Sequence, residues 1–314
     1  MRVGVGLWTL QSTRDAPANV AASYSALAAQ AQEVEQMGFH SMWFAEHRFW
    51  YDNWCPQPMI AMAAAARATQ SLHLGTAMML LSQHDSGRFA RTCETLEAVA
   101  PGRIQLGVGL GHRDAEFDGL GLRRDQRGRM MEEALDRLDP LGIPTWIGGM
   151  ADAALRRGAS RGHGFVLPQT LYPDEIQAHV AQIAAMSSEA GRARGPIGII
   201  KDCWVTGDAS SMDSQVAERI RRHYREEAGS WWILRGSGNG FQQPELLERQ
   251  LERVFDAALI GPANMVAEHL GELEACGIDL VILRFWFDVT AGVDALRSMA
   301  SLAGAALDGS GSLR

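Results

Sequence analysis

A chain of 314 residues with a formal net charge of −8 is long enough to bury a large core and too acidic to be recruited by nucleic acid or an anionic membrane. Its composition, 46% hydrophobic and 21% charged, favours a protein that acts on small molecules. The four cysteines are far apart and form no C-x-x-C pair, so we predict neither a zinc site nor a disulfide framework. We find no secretion signal and no apolar run of about 18 residues, and therefore expect a cytoplasmic protein that does not span a membrane.

Eight short apolar runs rich in β-branched and aromatic residues predict strands, at residues 3–8, 41–45, 72–80, 104–108, 145–147, 164–167, 197–205 and 280–283. Helical patterns alternate with them, at residues 20–37, 58–68, 89–99, 129–138, 152–160, 174–188 and 263–275, and a last one follows Gly292. Gly38 and Gly277 stand where left-handed caps are expected. Apolar strands that alternate with helices predict an α/β fold with a buried parallel sheet, here a single (β/α)8 TIM barrel over residues 1–314.

Residues 210–256 do not fit a minimal barrel. This inserted segment, between strand 7 and the last βα unit, contains a charged helical pattern, the adjacent pair Trp231 and Trp232 among glycines, and a second helical pattern. A solvated linker and a lid over the barrel mouth both fit this segment. Two adjacent Trp side chains are nevertheless costly to leave in water.

The second predicted strand ends in an acid, an imidazole and a guanidinium: Glu46, His47 and Arg48. Active sites of such barrels lie at the C-terminal ends of the strands, so this is a candidate site. His47 fits a general base or a hydrogen-bond donor near neutral pH, and equally a structural role. Glu46 is a residue type that binds metal, but no second histidine cluster with ligand spacing occurs, and we predict no metal site.

Two glycine-rich segments also follow predicted strands. In “PTWIGGMADAALRRGA” the glycines precede a helix start, so a phosphate site at residues 148–151 and a plain βα turn both fit. In “GRIQLGVGLGHRDAEF” the spacing of Gly107, Gly109 and Gly111 is not that of a dinucleotide fingerprint, and small residues there leave room for a flat ligand. A cluster of four arginines precedes the next helix, and one of them could clamp a phosphate.

Five segments resemble, in order and spacing, the bacterial luciferase-like flavin-dependent monooxygenases. They are “GFHSMWFAEHRF”, “LHLGTAMMLL”, “GRFARTCETLEAVAPGRIQLGVGLG”, “RMMEEALDRL” and “PTWIGG”. The resemblance runs over residues 1–162 and returns at “LIGPANMVAEHLGELEACGIDLVILR”. Members of that family are (β/α)8 barrels that bind reduced FMN, or in a sister branch a deazaflavin, at the C-terminal mouth. The resemblance implies a homodimeric FMN-dependent monooxygenase that receives reduced FMN from a separate flavin reductase and reacts it with molecular oxygen to give a flavin hydroperoxide.

The resemblance also implies roles for single residues. His47 matches the active-site histidine, and Glu46 is expected to orient it. Ala77 and Met78 match a strand end, often with a cis non-prolyl peptide, against which the flavin ring lies. Arg129, with Arg127 as the fallback, matches an arginine that binds the phosphate. The predicted cofactor-binding residues are Ala77, Met78, Gly107, Gly109, Leu110, Arg129, Gly149, Met150 and Ala151.

Three departures from the family pattern concern the substrate. Arg48 stands where a second histidine is common, which fits either a different substrate or a surface ion pair. The usual “HPVR” is “HDSGR” here, so a role for His84 is not carried over, although one for Arg88 is. A segment that is commonly long is reduced to “DPLGIP” before the fifth strand.

Several aromatic residues are candidates for the wall of a substrate pocket: Trp8, Trp43, Phe49, Trp50, Trp54, Trp231 and Trp286. They suggest a bulky, mainly apolar or polycyclic substrate, of the kind found in secondary metabolism, although core packing accounts for many such residues equally well. Two alternatives stay open at this point. One is a deazaflavin-dependent hydride-transfer oxidoreductase, and the other is a non-catalytic flavin-binding protein.

Overall fold

The computed structural model describes residues 1–8, 10, 20–49, 53–205, 218, 221, 222, 225 and 244–284. Its strands are β1 Arg2–Trp8, β2 Ser41–Phe44, β3 His73–Leu80, β4 Ile104–Gly109, β5 Thr145–Gly148, β6 Gly164–Leu167, β7 Ile197–Val205, β8 Leu259–Gly261 and β9 Leu280–Arg284. Its helices are α1 Val20–Gln36, α2 Pro58–Ala68, α3 Ser86–Val99, α4 Asp114–Gly119, α5 Arg127–Leu138, α6 Asp152–Arg161, α7 Pro173–Glu189, α8 Pro244–Asp256 and α9 Ala263–Ala275. Short 3₁₀ turns lie at Leu81–Gln83, Arg124–Gln126 and Asp139–Leu141.

A closed parallel barrel is formed by β1 to β7 and β9. Strands β1 to β7 pair in sequence order, β7 then pairs with β9, and β9 pairs with β1. The short strand β8 pairs only with the end of β7, where Cys203 lies opposite Leu259, and is not part of the ring. The predicted (β/α)8 TIM barrel is therefore confirmed.

The eight predicted strands are all present, and none of their boundaries shifts by more than one residue. Gly38 and Gly277 have φ values of +83° and +90°, which confirms both predicted caps. Two elements were not predicted, the strand β8 and the helix α4, because segments of 3 and 6 residues are too short to show a period. The predicted helix after Gly292 lies outside the described residues, as does the Trp231–Trp232 pair.

Trp43 fills the inside of the barrel below the mouth. It packs edge to face on Trp146, with ring centroids 6.0 Å apart, and its Nε1 donates to Ser41 Oγ at 2.8 Å. A Cβ atom at Gly75 would lie 2.4 Å from Trp43 Cε3, so the neighbouring strand must carry glycine there. Large side chains opposite glycines thus fill the barrel interior below the mouth.

The cysteines, the possible metal ligands and the helices of the described residues each bear on a prediction from the sequence. All four cysteine side chains are buried. Among the described residues, no group of three or more His, Cys, Asp or Glu side chains is arranged to hold a metal ion. None of the helices in this part of the chain has both the length and the apolar character needed to cross a bilayer.

Candidate active site

A cavity of about 560 Å³ opens at the C-terminal ends of the barrel strands. Residues in or just after β2, β3, β4, β5, β6, β7 and β9 contribute to its lining, together with Trp54 and with Val254 from α8. The volume lies within the range of about 300–1,000 Å³ that is usual for small-molecule sites. The cavity therefore lies at the C-terminal face of the barrel, where the active site was predicted from the sequence.

Most of the predicted site residues line this cavity: Glu46, His47, Ala77, Met78, Gly109, Leu110, Gly149, Met150 and Ala151. Gly107 does not, because it lies beneath Met78, and a Cβ atom there would be 1.9 Å from Thr76 O. Arg129 does not either. It lies on the exposed side of α5, where its Nη1 donates to Glu133 Oε1 at 2.6 Å and its Nη2 to Gln126 Oε1 at 3.0 Å.

The Ala77–Met78 peptide is cis, as the family resemblance predicted. At this point the pairing of β3 with β4 is irregular, passing from Thr76 opposite Leu106 to Met79 opposite Val108. The Met78 side chain occupies space that glycines leave free, since a Cβ atom at Gly148 would lie 2.6 Å from its Sδ. The glycines at 107 and 148 thus make room for Met78, whereas Gly109 is the position that leaves space at the cavity.

His47 is held by a carboxylate that sequence reasoning missed. Its Nδ1 lies 2.8 Å from Oε1 of Glu116, a fully buried residue on α4. On another side its ring meets the ring of Trp54 edge to face, with centroids 4.9 Å apart. The expectation that Glu46 orients His47 is wrong, because Glu116 is the carboxylate in contact with the imidazole. The only sequence signal was an acid a few residues after the glycine-rich strand end.

Glu116 accepts hydrogen bonds at both oxygens. Oε1 also accepts from the backbone N of Arg48 at 2.9 Å, and Oε2 accepts from Gln83 Nε2 at 3.2 Å. Burial alone would raise the pKa of Glu116, but the hydrogen bonds from His47, Arg48 and Gln83 outweigh it and hold that pKa below its usual value. The side chain is therefore an ionised acceptor at neutral pH.

Glu46 belongs to a separate group of contacts. Its carboxylate accepts from Leu80 N at 2.8 Å, pairs with Arg48 Nη2 at 2.7 Å, and lies 2.9 Å from His84 Nε2. Since a carboxylate accepts, His84 donates from Nε2. Arg48 is 9% exposed, so the expectation of a surface ion pair is wrong and the pair is buried. Arg88, by contrast, uses its backbone N to donate to Asp85 at the start of α3.

The aromatic wall predicted for the cavity is only partly present. Trp54 lines the cavity, and its Nε1 donates to Ala45 O at 3.1 Å. Trp43 is in the barrel floor, Trp8 is buried and donates to Gln30, and Phe49 is 59% exposed. Trp50, Trp231 and Trp286 lie outside the described residues. Aliphatic and thioether side chains form most of the apolar lining instead: Met78, Leu80, Leu110, Val166, Leu167, Ile200 and Val254.

Buried charges also lie on β7 and β9. Asp202 and Arg284 are opposite one another in the two strands and form a two-pronged ion pair, with Arg284 Nη2 donating to Asp202 Oδ2 at 2.9 Å. The neighbouring Lys201 donates from Nζ to Leu171 O at 2.8 Å and to Ala257 O at 3.0 Å. Burial lowers the pKa of Lys201 to about 8. The sequence signal for these buried charges is the pair of adjacent charged residues within the otherwise apolar strand “IGIIKDCWV”.

The loop after β5 has the properties of an anion cradle. Gly149 has a φ of +116°, which L side chains rarely adopt, and a Cβ atom there would contact only Ala154. No side chain caps α6, whose N-cap residue is Ala151. Unpaired N–H groups and the helix dipole at such an end favour a negatively charged group.

The sequence matches the family of luciferase-like monooxygenases over residues 1–141 and 136–280. Protein y4vJ of Sinorhizobium fredii is 26% identical over 280 residues, which cover 77% of this chain and 79% of that protein. The oxygenating constituent of 3,6-diketocamphane monooxygenase from Pseudomonas putida, a type II Baeyer-Villiger monooxygenase in complex with FMN, is similar with a TM-score of 0.77 at 16% identity, over 96% of this chain and 97% of that chain. An F420-dependent secondary alcohol dehydrogenase in complex with an F420-acetone adduct is similar with a TM-score of 0.74 at 18% identity, over 98% and 99%. At these identities the two structures establish likeness of fold alone. The family match, which covers most of the chain, shows that the protein belongs to the luciferase-like monooxygenases.

Proposed function

We propose that this protein is an FMN-dependent monooxygenase that uses molecular oxygen to oxidise a bulky, mainly apolar or polycyclic small molecule. The observation that carries the proposal is the cavity itself, because Ala77 and Met78, His47 and the uncapped start of α6 all line it. When bound there, reduced FMN supplies the electrons that activate oxygen. The protein contributes binding, orientation and the exclusion of water.

The residues present fit a flavin ring on one wall. Ala77, Met78, Gly109 and Leu110 form a stretch of that wall without charged side chains. The nearest groups to a Cβ atom built at Gly109 are Met78 Cβ and Cγ, at 3.4 Å and 3.6 Å, so the backbone of β4 is open to a flat ligand there. We assign ring binding to these four residues.

We assign phosphate binding to the backbone of Gly149, Met150 and Ala151. The conformation of Gly149 and the uncapped helix end support this assignment. A role for Arg129 requires its guanidinium to leave Glu133 and Gln126, and a role for Gly107 is limited to seating Met78 beneath the ring.

The lining favours an uncharged substrate. The buried acids and bases at the cavity are already partnered, Glu46 by Arg48 and Arg284 by Asp202, so little net charge faces a ligand. The remaining wall is apolar. Under this proposal His47, with Glu116 on its Nδ1, uses its Nε2 to exchange a proton with the substrate.

The relatives favour two cofactors. The structure from Pseudomonas putida contains FMN, which supports our first choice, whereas the alcohol dehydrogenase contains the deazaflavin F420. Hydride transfer with a deazaflavin is therefore the second candidate function. A non-catalytic flavin-binding protein has no need for an ionised carboxylate behind His47, and we place it last.

Competitive binding and oxygen uptake distinguish the candidates. We expect reduced FMN to bind at least tenfold more tightly than reduced deazaflavin in anaerobic titrations, and we expect oxygen consumption only with FMN. Riboflavin serves as the control for the phosphate. Tighter binding of the deazaflavin, with no oxygen uptake in the presence of FMN, would overturn the proposal in favour of hydride transfer.

We further propose a cytoplasmic two-component system with a separate flavin reductase, a homodimer that associates through the early helices of the barrel, and a lid within residues 210–256. Val254 of α8, which belongs to this segment, lines the cavity and supports a role of the segment at the barrel mouth. Sedimentation of the purified protein at micromolar concentration tests the dimer, and a monomer there would contradict it.

A further inference from the structure

We infer that Glu116 is a positioning residue, which accepts the proton on Nδ1 of His47 and so fixes the tautomer in which Nε2 is the nitrogen that takes up a proton. The significance of this inference for catalysis rests on the proposed function, but the tautomer itself is a property of the resting protein. None of the other buried carboxylates described at the cavity contacts His47 in this way.

The contacts of Glu116 define it as an acceptor only. It is completely buried, its Oε1 lies 2.8 Å from His47 Nδ1, and the same oxygen accepts the backbone N–H of Arg48. Arg113 Nη1 lies 3.5 Å from that oxygen as well. Three donors around one ionised oxygen leave no role for a proton on the carboxyl group. The proton of the His47–Glu116 bond therefore belongs to Nδ1.

Gln83 fixes the other oxygen of Glu116. Its Nε2 donates to Glu116 Oε2 at 3.2 Å, and its side chain is 5% exposed. This approach depends on Gly111, because a Cβ atom there would lie 2.8 Å from Gln83 Nε2, and Gly111 also has a φ of +69°. The carboxylate is thus held at both oxygens by donors from the segments after β2 and β3, and it cannot rotate away from His47 without losing these bonds.

A histidine with a fixed Nδ1–H has a defined function. Its Nε2 carries a lone pair and accepts a proton, and the imidazolium that results is stabilised by the adjacent carboxylate. Glu116 itself does not line the cavity. It therefore acts through His47, and its loss should lower kcat while the KM for reduced FMN stays the same.

The tautomer is measured directly by ¹⁵N NMR of the full chain labelled at histidine, without flavin or substrate. The signals of His47 are assigned among the nine histidines by their loss in His47→Gln. We expect a protonated Nδ1 and an unprotonated Nε2 in the wild type. In Glu116→Ala the proton should redistribute towards Nε2.

Two further variants keep the result interpretable if Glu116→Ala folds poorly. In Glu116→Gln the amide oxygen can still accept from Nδ1, and Gln83 can turn its own oxygen, which has no hydrogen-bond partner in the described structure, towards the new NH₂ group. We expect this variant to retain the Nδ1 tautomer. Glu46→Gln is the matched control, since it changes the other buried carboxylate of this wall and should leave the His47 tautomer unaltered.

Kinetics complete the test once a substrate is known. Removal of a residue that orients another typically costs roughly 10- to 100-fold in activity, and we expect such a loss of kcat in Glu116→Ala. A wild-type His47 with its proton on Nε2 would overturn the inference, as would Glu116→Ala with an unchanged tautomer. If the tautomer is as expected but reduced FMN and oxygen give no oxidation, the proposed function fails and the inference stands.

Discussion

The cavity wall built after β2, β3 and β4 holds its charges with side chains from separate loops, whereas the wall of β7 and β9 holds them within two paired strands. On the β2–β4 wall, Glu46 and Glu116 accept hydrogen bonds from residues at the end of β3 and in the loops after β2 and β3. On the β7–β9 wall, Asp202 and Arg284 are direct neighbours in the strand register. The first arrangement fixes the orientation of a histidine, and the second stiffens the barrel where α8 meets it.

The buried charges of the two walls differ in the groups that satisfy them, and therefore in what their removal or titration costs. Each carboxylate of the β2–β4 wall is satisfied by several hydrogen bonds, so the removal of one carboxylate leaves its donors buried without acceptors. Lys201 on the opposite wall is satisfied by backbone carbonyls, and the cost of its charge is seen in its pKa of about 8. Three predictions test this contrast.

Glu46→Ala should have the largest effect on stability. The substitution leaves the buried Arg48 and the partly buried His84 without their shared carboxylate, and breaking a buried ion pair such as Arg48–Glu46 costs about 3–5 kcal/mol. Urea unfolding followed by circular dichroism measures the loss. Glu133→Ala is the control, because it breaks an exposed pair with Arg129 that is worth at most about 1 kcal/mol. Equal losses in the two variants would mean that burial of the charge makes no difference.

The stability of the protein should rise with pH between about 8 and 10.5 because of Lys201. Its pKa in the folded state is about 8, against 10.5 when solvated, so the unfolded chain binds more protons in this window. The shift corresponds to at most about 3 kcal/mol. The measurement is the free energy of unfolding of the wild type minus that of Lys201→Met at each pH. A difference that stays flat across the window would show that the carbonyls fully compensate the charge.

The smallest effect concerns the phosphate site, which lies between the two walls. Gly149→Ala should weaken FMN binding about fivefold, or about 1 kcal/mol, because the left-handed backbone that aims the cradle is strained by a side chain. Binding of riboflavin, which lacks the phosphate, should change less. Arg129→Ala is the comparison and should leave both affinities unchanged, because its guanidinium is committed to Glu133 and Gln126. If only Arg129→Ala lost affinity for FMN, Arg129 rather than the Gly149 backbone would be the residue that binds the phosphate.

Much of the fold was predictable because its signals are local. Eight apolar runs with helical patterns between them predicted the barrel, and glycines after two helices marked caps at Gly38 and Gly277. The cis Ala77–Met78 peptide followed from resemblance alone. The strand β8 was missed because three residues carry no periodic signal.

The site was predictable in place but not in its contacts. His47 was found because a polar triplet ended an apolar strand, yet its partner Glu116 is 69 residues away. The sequence does not show whether Glu46 or Glu116 contacts the imidazole of His47, because that depends on how the chain after β4 folds back towards β2. Adjacency in sequence favoured Glu46, but Arg48, His84 and the N–H of Leu80 occupy it instead.

The packing of Trp43 against glycines in neighbouring strands couples positions that are far apart in the chain. Cβ atoms at Gly4, Gly6 and Gly75 would come within 2.9 Å, 2.9 Å and 2.4 Å of Trp43 atoms. The coupling is direct at Gly75, where the nearest atoms all belong to the Trp43 ring, so a larger residue at 75 requires a smaller one at 43. At Gly4 the nearest atom is Ser41 Oγ, and at Gly6 the nearest atoms are the Cβ and backbone O of Trp43, which an alanine at 43 would keep. Divergence of the barrel floor can therefore exchange bulk between positions 43 and 75, whereas Gly4 and Gly6 are held by contacts that a change at 43 does not remove.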